Sequence, residues 1–342
     1  MSSLLKLLIL VPIVVADVHS DWIRFKTRFG KVYSENEEPT RFEAFRTSVE
    51  FIAAENKKGY SYELGITPFA DVPMDHTRQS SLVMGGLQNL TSEQSDGHLF
   101  GRPVPPNIDW EERGALTPVV NENKPPDGLG ACWAFAAVAA VESANKIING
   151  NLVKLSEQQV VDCSGGGSCE KGGMYFPVWD WLRKSGAALC SEASYPYTCF
   201  PGAGGCSNVC TKSLPAYAVT RYANVPRSEL QLMSALQQQP VAACIAGAWQ
   251  NHPNFRLYKS GVYSNPNCAE ADHAVLVVGY GTTASGEAYW KIKNSYGTGW
   301  GIKGYALLER SRPGHGQENA CGVPAWLAYP VVHRMDSVVL FA

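Results

Sequence analysis

Residues 134 to 142 read Ala134-Phe135-Ala136-Ala137-Val138-Ala139-Ala140-Val141-Glu142, a run of strong helix formers that is apolar on nearly every side. Such a run reads as a helix buried within the fold, so other elements have to cover it. One cysteine stands at its head, in Gly130-Ala131-Cys132-Trp133. A cysteine in the first turn of a helix lies against unpaired N–H groups and the positive end of the helix dipole, which favours thiolate over thiol. Cys132 is therefore a candidate nucleophile, set against the plainer reading of a small apolar residue packed in a helix.

The chain of 342 residues is 45% hydrophobic and 18% charged, a globular composition with length for two domains. Its 29 basic and 31 acidic residues leave a net charge of −2 without long runs of one sign, so no nucleic-acid partner and no polybasic membrane contact is expected. At the N-terminus Lys6 sits among Leu4, Leu5, Leu7, Leu8 and Leu10, and Val14-Val15-Ala16 forms a small-residue cleavage site. Residues 1–16 thus read as a secretory signal peptide, since the apolar run falls short of the ~20 residues that span a bilayer. No later segment is expected to cross a membrane. Secretion implies an oxidising compartment, so the ten cysteines, all between 132 and 321, read mostly as disulfides. The spacing of cysteine and histidine does not make a metal site, and neither metal nor cofactor is expected.

Between residues 21 and 58 the positions Glu37, Arg41, Phe45, Ser48, Ile52 and Asn56 share one helix face, which predicts a helix packing Phe45 and Ile52 inward. Gly65-Ile66-Thr67-Pro68-Phe69-Ala70-Asp71 follows, then a polar linker to about residue 100 that carries the glycosylation acceptor Asn89-Leu90-Thr91. From Val104 the chain is proline-rich before it enters the cysteine helix. Ser156-Glu157-Gln158-Gln159 is a capping box opening a second helix that ends near Cys163. Trp179, Trp181 and Leu182 suggest a third. After about residue 215 the pattern turns to strands at Val241 to Ile245, Ala274 to Val278, Ala288 to Ile292 and Tyr305 to Leu308, with a connecting helix over 228–239. A helical half, 104–215, followed by a β half, 216–330, predicts an α+β fold of two packed domains with the site in the cleft between them.

A thiolate nucleophile needs a base to exchange its proton and a third group to orient that base. His273 stands before the predicted strand Ala274 to Val278, and Asn294 follows the strand ending near Ile292. Either could serve only as a structural residue if taken alone. Three segments now carry a resemblance: Ala131-Cys132-Trp133-Ala134-Phe135, then Asp272-His273-Ala274-Val275-Leu276-Val277-Val278-Gly279-Tyr280-Gly281, then Trp290-Lys291-Ile292-Lys293-Asn294-Ser295-Tyr296-Gly297-Thr298-Gly299-Trp300-Gly301. They resemble the signature segments of papain-family cysteine proteases of the cathepsin L-like branch, whose Cys, His, Asn order they follow. The resemblance covers roughly residues 21 to 330 and extends to a prosegment. Glu37, Arg41, Phe45, Ile52 and Asn56 match the family's interrupted helix motif, with Ser48 where Asn is usual. Gly65, Phe69 and Asp71 match its second motif, with Thr67 in place of Asn.

That resemblance implies a papain-like fold, with a helical left domain and a β-barrel-like right domain. It implies Cys132 as nucleophile, His273 as general acid and base, and Asn294 as the orienter of the imidazole. Trp300 is expected to pack over the Asn294–His273 contact, with Tyr296 where a second Trp is usual. Residues 17–103 become an inhibitory propeptide removed by cleavage near 101 to 104, and 331–342 a C-terminal tail. Protein or peptide substrates, the chain's own propeptide and cystatin-like inhibitors are the implied partners of a monomer that is secreted or lysosomal.

The family's oxyanion-hole glutamine has no plain counterpart. The segment Asn121-Glu122-Asn123-Lys124-Pro125-Pro126-Asp127-Gly128-Leu129 before Gly130 is about four residues longer than usual, so counting back from Cys132 aligns Pro126 and counting forward from Thr117 aligns Glu122. The Cys132 backbone N–H remains as one donor, and Asn121 or Asn123 could swing in. Leu129 replaces a disulfide cysteine, which deprives Cys169 of its ordinary partner. The resemblance pairs Cys268 with Cys321 and Cys163 with Cys206, leaving Cys169, Cys190, Cys199 and Cys210 for two bridges of open connectivity and Cys244 free. A substrate pocket would be lined by Met174, Tyr175, Cys244, Ala271 and Trp326, an apolar set that suits apolar side chains. Gly172 and Gly173 match the glycine pair that holds substrate backbone, although Glu170-Lys171 lengthens that loop by one residue. The implied activity is a cysteine endopeptidase made as a zymogen. The altered oxyanion segment motivates a rival reading, a catalytically impaired binding or regulatory protein on the same fold.

Overall fold

The central helix forms where the alanine run predicts it, and the chain is laid out on both sides of it. The computed structural model describes residues 18–74, 103–123, 130–199, 205–207, 209–246, 253–264, 271–310 and 324–335. The signal peptide, the Asn89 acceptor, the cleavage region at 101 and 102, Pro126, Cys268 and Cys321 lie outside these residues. Helices α1 (Val18–Phe29) and α2 (Glu38–Asn56) lead to strand β1 (Tyr62–Leu64). After β2 (Ile108–Asp109) come α3 (Cys132–Asn149), α4 (Glu157–Cys163), β3 (Gly167–Ser168), β4 (Gly172–Gly173), α5 (Tyr175–Ser185), β5 (Leu189–Cys190) and β6 (Lys212–Leu214). The remainder is β7 (Val219–Asn224), α6 (Glu229–Leu236), β8 (Val241–Ala246), α7 (Pro253–Arg256), β9 (Tyr258–Tyr263), β10 (Ala271–Thr282), β11 (Ala288–Lys293), β12 (Tyr305–Glu309) and β13 (Ala325–Val332). The fold is α+β, as the sequence predicts.

One sheet runs in the order β1, β9, β12, β11, β10, β8, β13, β7, with β2 added on β10. Its neighbours are antiparallel except for β12 beside β9. Strand β10 is longer than the predicted Ala274 to Val278, so His273 lies within the strand rather than ahead of it. Gly279 looks like a strand end in the sequence. It is instead the point of closest approach to β2: a Cβ there would stand 2.1 Å from the Ile108 carbonyl oxygen. Through β2 the start of the helical half joins the β half, and β13 carries the chain through Val332, two residues into the segment expected to be a tail.

The predicted capping box on α4 is half formed. Ser156 accepts the Gln159 N–H at 3.0 Å, but the Gln159 side chain turns away, accepting from Cys190 N–H and donating to the Ala188 carbonyl. Cys163 is bonded to Cys206, and the four cysteines left open pair as Cys169–Cys199 and Cys190–Cys210. Among the described cysteines, Cys132 and Cys244 are buried and stand outside the disulfides.

In the prosegment, Phe45 of α2 is fully buried against Trp22 and Phe25 of α1, at ring distances of 5.3 and 4.9 Å. Asn56 clamps β1 from both directions, accepting from Leu64 N–H at 2.9 Å and donating to the Leu64 carbonyl at 3.0 Å. Strand β1 then pairs with β9, where Gly261 (φ +85°) leaves room that a Cβ, 2.3 Å from the Ser61 carbonyl oxygen, would fill. Asp71 takes Lys31 at 3.0 Å together with the Tyr33 hydroxyl. Truncating Phe45 removes the ring on which α1 and α2 meet. We predict that Phe45→Ala lowers the opening free energy of α1 and α2 by about 3–5 kcal/mol. Hydrogen exchange of the proform should register that loss in the α1 and α2 amides while α3 keeps its protection.

Candidate active site

Cys132 is the first residue of α3, and Ala131 caps the helix without a side-chain hydrogen bond. The thiol therefore faces the helix end with no competing cap. Small residues along α3, among them Ala136, Ala137, Ala140 and Ala144, are buried and let the helix lie close on β10 and β13. The result is that the Cys132 Sγ accepts the Ala274 N–H at 3.3 Å, one residue from His273.

His273 is fully buried, and its Nε2 lies 2.8 Å from Asn294 Oδ1. The same Oδ1 accepts the Ser295 N–H at 2.8 Å. Because a backbone N–H can only donate, the Asn294 atom is the oxygen, and Nε2 carries the hydrogen donated to it. Nδ1 is then the nitrogen that exchanges a proton. Tyr296 lies against the imidazole at 4.9 Å between ring centres, and Trp300 packs behind it at 5.4 Å, its Nε1 donating to the Phe255 carbonyl at 2.9 Å. The ring over the His273–Asn294 contact is thus Tyr296 and not Trp300. A tyrosine fills the nearer place where tryptophan is usual, leaving Trp300 in the second layer.

Of the two residues aligned with the missing glutamine, Glu122 is placed beside this group. Its N–H donates to the Ser295 carbonyl at 2.8 Å, its carbonyl accepts from the Tyr197 hydroxyl at 3.0 Å, and it is 1% exposed. Asn121 bridges Tyr296, and its side-chain oxygen accepts both nitrogens of Asn123, so these amides are engaged with each other.

Of the expected pocket residues, Cys244, Tyr175 and Trp326 are joined by hydrogen bonds. Cys244 is the register partner of Ala274 and donates its thiol to Tyr175 Oη at 3.7 Å, while the Tyr175 hydroxyl donates to the Trp326 carbonyl. Burial pushes the Cys244 thiol up to about 12, which marks it as an inert wall rather than a second nucleophile. Met174 precedes α5 and is buried, Ala271 opens β10 half-buried, and Trp326 is 39% exposed. Gly172 and Gly173 pair with Ser168 and Gly167, and a Cβ on Gly173 would meet the Gly166 carbonyl at 2.3 Å and the Trp133 ring at 2.8 Å.

Comparison with known proteins agrees with this geometry. Residues 104–331 match the family model described as papain family cysteine protease, and residues 22–74 match the cathepsin propeptide inhibitor domain. The chain belongs to the papain family of cysteine proteases. It is 36% identical to ananain of Ananas comosus over 316 residues, covering 91% of this chain and 87% of that one. Procathepsin L of Rattus norvegicus is 32% identical over 337 residues, covering 92% of each. Among solved structures, a recombinant stem bromelain precursor superposes with a TM-score of 0.77 at 34% identity, over 92% of this chain and 99% of that one. The proform of the ragweed pollen protease Amb a 11 gives 0.79 at 32% identity, over 92% and 95%. This papain-family member is a cysteine protease made as a zymogen with an inhibitory prosegment.

A buried polar cluster behind the site escapes the sequence reading. Lys154 donates to Glu142 at 3.1 Å and also to Glu157, while Glu142 takes the Leu155 N–H at 2.8 Å and the Thr117 hydroxyl. Lys293, next to Asn294, donates to the Thr117 carbonyl at 2.7 Å. These residues line a small cavity with Ala274, Asn294 and Ser295. The available signal was the lone Glu142 at the end of an alanine run. Burial raises Glu157 from an ordinary 4.5 to about 8, and burial also lowers Lys293 to about 8. With Glu157 raised, the folded chain holds a proton that the unfolded chain releases, so this group's stabilisation is present in acid and lost as pH rises towards about 8. We therefore expect denaturant midpoints to fall between about pH 4.5 and 8, and Glu157→Gln to flatten that slope.

Proposed function

We propose that the mature enzyme is an endopeptidase that cuts protein and peptide chains through Cys132, His273 and Asn294. The observation that carries the reading is the shared Asn294 Oδ1, which supports one tautomer of His273 and directs its other nitrogen to the exchanged proton. In this scheme His273 Nδ1 takes the Cys132 thiol proton, the thiolate adds to the scissile carbonyl carbon and the carbonyl electrons move to oxygen. The oxyanion collapses to an acyl-enzyme as His273 gives its proton to the departing amine. Water, deprotonated by His273, then releases the acid and restores the thiol–imidazole pair. The Cys132 backbone N–H is one oxyanion donor. Met174, Tyr175, Cys244, Ala271 and Trp326 form the pocket for an apolar substrate side chain, with Gly172 and Gly173 along its backbone.

The inhibitory segment is read as residues 17–103, with the mature chain beginning near Val104 and its two halves meeting near 215. We place the protein in the secretory pathway, outside the cell or in the lysosome, as a monomer open to cystatin-like inhibitors. Among the described residues no helix is long and apolar enough to cross a membrane.

Acidified proform should be labelled at Cys132 by a cysteine-directed epoxide and cleave peptides that carry Leu or Phe one residue before the residue at the cut. A folded, processed chain that took no label would sink the proposal. Cys132→Ala should abolish labelling and turnover together, and His273→Ala should reduce kcat by about 10²–10⁴. Glu122 adds a separate expectation. An amide carries N–H donors at every pH, whereas a carboxylate carries none, and one such donor is worth about 10²–10³ in rate. Glu122→Gln should thus raise kcat/KM per titrated active site, by less than that full factor because the lengthened segment after Asn123 is retained. Unchanged or lower kcat/KM would remove Glu122 from the oxyanion side.

A further inference from the structure

Arg256 ends α7 and is 2% exposed, and part of its cover is the prosegment. Its Nη2 donates to the Pro73 carbonyl at 3.3 Å, and its own backbone carbonyl accepts from the Thr67 hydroxyl at 2.7 Å. Between them Phe69 stands edge-on to Tyr296 at 4.9 Å. Departure of residues 67–73 takes away both the cover and this acceptor. A guanidinium keeps its charge throughout the working pH range, and its planar fork matches a carboxylate better than a single carbonyl.

The neighbours of Arg256 say which part of a substrate it would meet. Phe255, the preceding residue, has its ring 6.5 Å from those of both His273 and Tyr296. His273 hands its proton to the departing amine, so the chain leaving with that amine passes this side of the imidazole. The apolar cluster of Tyr175 and Cys244 adjoins β10 through β8, whereas Phe255 and Tyr296 are ring neighbours of the imidazole. Pro73 therefore occupies ground that the leaving segment of a substrate would cross.

The geometry points to Arg256 as a recognition site for a carboxylate on the leaving segment of the substrate. The carboxylate is either the side chain of an Asp or Glu within two residues after the cut, or the substrate's own C-terminus. This assignment rests on the catalytic reading above. In the proform Nη2 of this buried guanidinium is given to the Pro73 carbonyl, the place that the substrate carboxylate takes in the mature enzyme.

The test uses mature enzyme obtained by acid processing of the full chain, with rates referred to titrated active sites. Internally quenched peptides share one sequence before the cut and carry Asp or Asn at the first or second position after it. A second pair ends, two residues after the cut, in a free acid or an amide. We expect kcat/KM to favour the carboxylate peptide by about tenfold in at least one pair, since a charge-assisted bond replaces a neutral one. The pair that discriminates identifies the source of the carboxylate. In Arg256→Gln the ratio should fall to about one, and in Arg256→Lys it should be intermediate, with the same loss in the wild-type enzyme at high salt. A wild-type ratio of one or less in every pair, in an enzyme that labels and turns over the neutral peptides, overturns the assignment and leaves the catalytic reading standing. A ratio that survives in Arg256→Gln also overturns it. Should Arg256→Gln not fold, the wild-type ratio, its salt dependence and Arg256→Lys decide the matter. Absence of labelling at Cys132 would instead remove the catalytic reading and this assignment with it.

Discussion

The approach of α3 to β10 is the constraint on which the site depends. A helix lined with Leu or Phe would be held farther from the sheet, whereas the buried alanines of α3 let its first residue bring sulfur to 3.3 Å from the Ala274 N–H. The backbone of β10 then fixes His273 one residue from the N–H that the thiol accepts. Asn294 reaches the same point from the end of β11, which is paired with β10 through Leu276↔Lys293 and Val277↔Ile292. Helix position, strand register and side-chain tautomer are thus set by one packing contact and one ladder. The Ser295 N–H gives the last of these its direction.

The prosegment exploits the other edge of the same sheet. Strand β1 adds to β9 by main-chain hydrogen bonds, a way of gaining affinity that asks little of side-chain identity. Specificity comes from the segment that follows it. Gly65 sits where a Cβ would be 2.8 Å from Lys259 Cδ, the Thr67 hydroxyl satisfies the Arg256 carbonyl, and Phe69 covers Tyr296. Asp71, 1% exposed, ties this strap back to Lys31 and Tyr33 of the prosegment. Separating a buried carboxylate from partners held in this way is costly, which couples the strap to the helices that carry it.

Much of this was legible because the informative residues lie in patterned segments. The alanine run located α3, the Glu37 to Asn56 face located α2, and the three signature segments located Cys132, His273 and Asn294. What escaped was set by tertiary contact. Strands β7, β9 and β13 lack a clean alternation, and Gly261 in β9 and Pro330 in β13 read locally as breaks. Gly261 is there to admit the prosegment backbone, and the reason is visible only when Ser61 is seen beside it. The second residue of the capping box went to β5 because a buried Cys190 N–H needed an acceptor, a demand that no local pattern announces. The Glu142, Lys154, Glu157 and Lys293 cluster was hidden for the same reason, its members being spread over 151 residues of sequence (293 minus 142).

At the described start of the altered stretch before Cys132, Val120 and Glu122 are held to the strand side by Gly297 N–H at 3.0 Å and the Ser295 carbonyl at 2.8 Å. On the helix side a disulfide cysteine is replaced by Leu129, and the Cys169 thus released is bonded to Cys199. That bridge lies next to Tyr197, whose ring packs edge-on to Phe135 of α3 at 4.7 Å and whose hydroxyl donates to the Glu122 carbonyl. Glu122 is thus connected to the helical half through an aromatic intermediary. A hydrogen bond and a ring contact hold less firmly than a covalent link, but they act on Glu122 itself. Glu122 is therefore held by Ser295 and Tyr197, its two hydrogen-bonded neighbours.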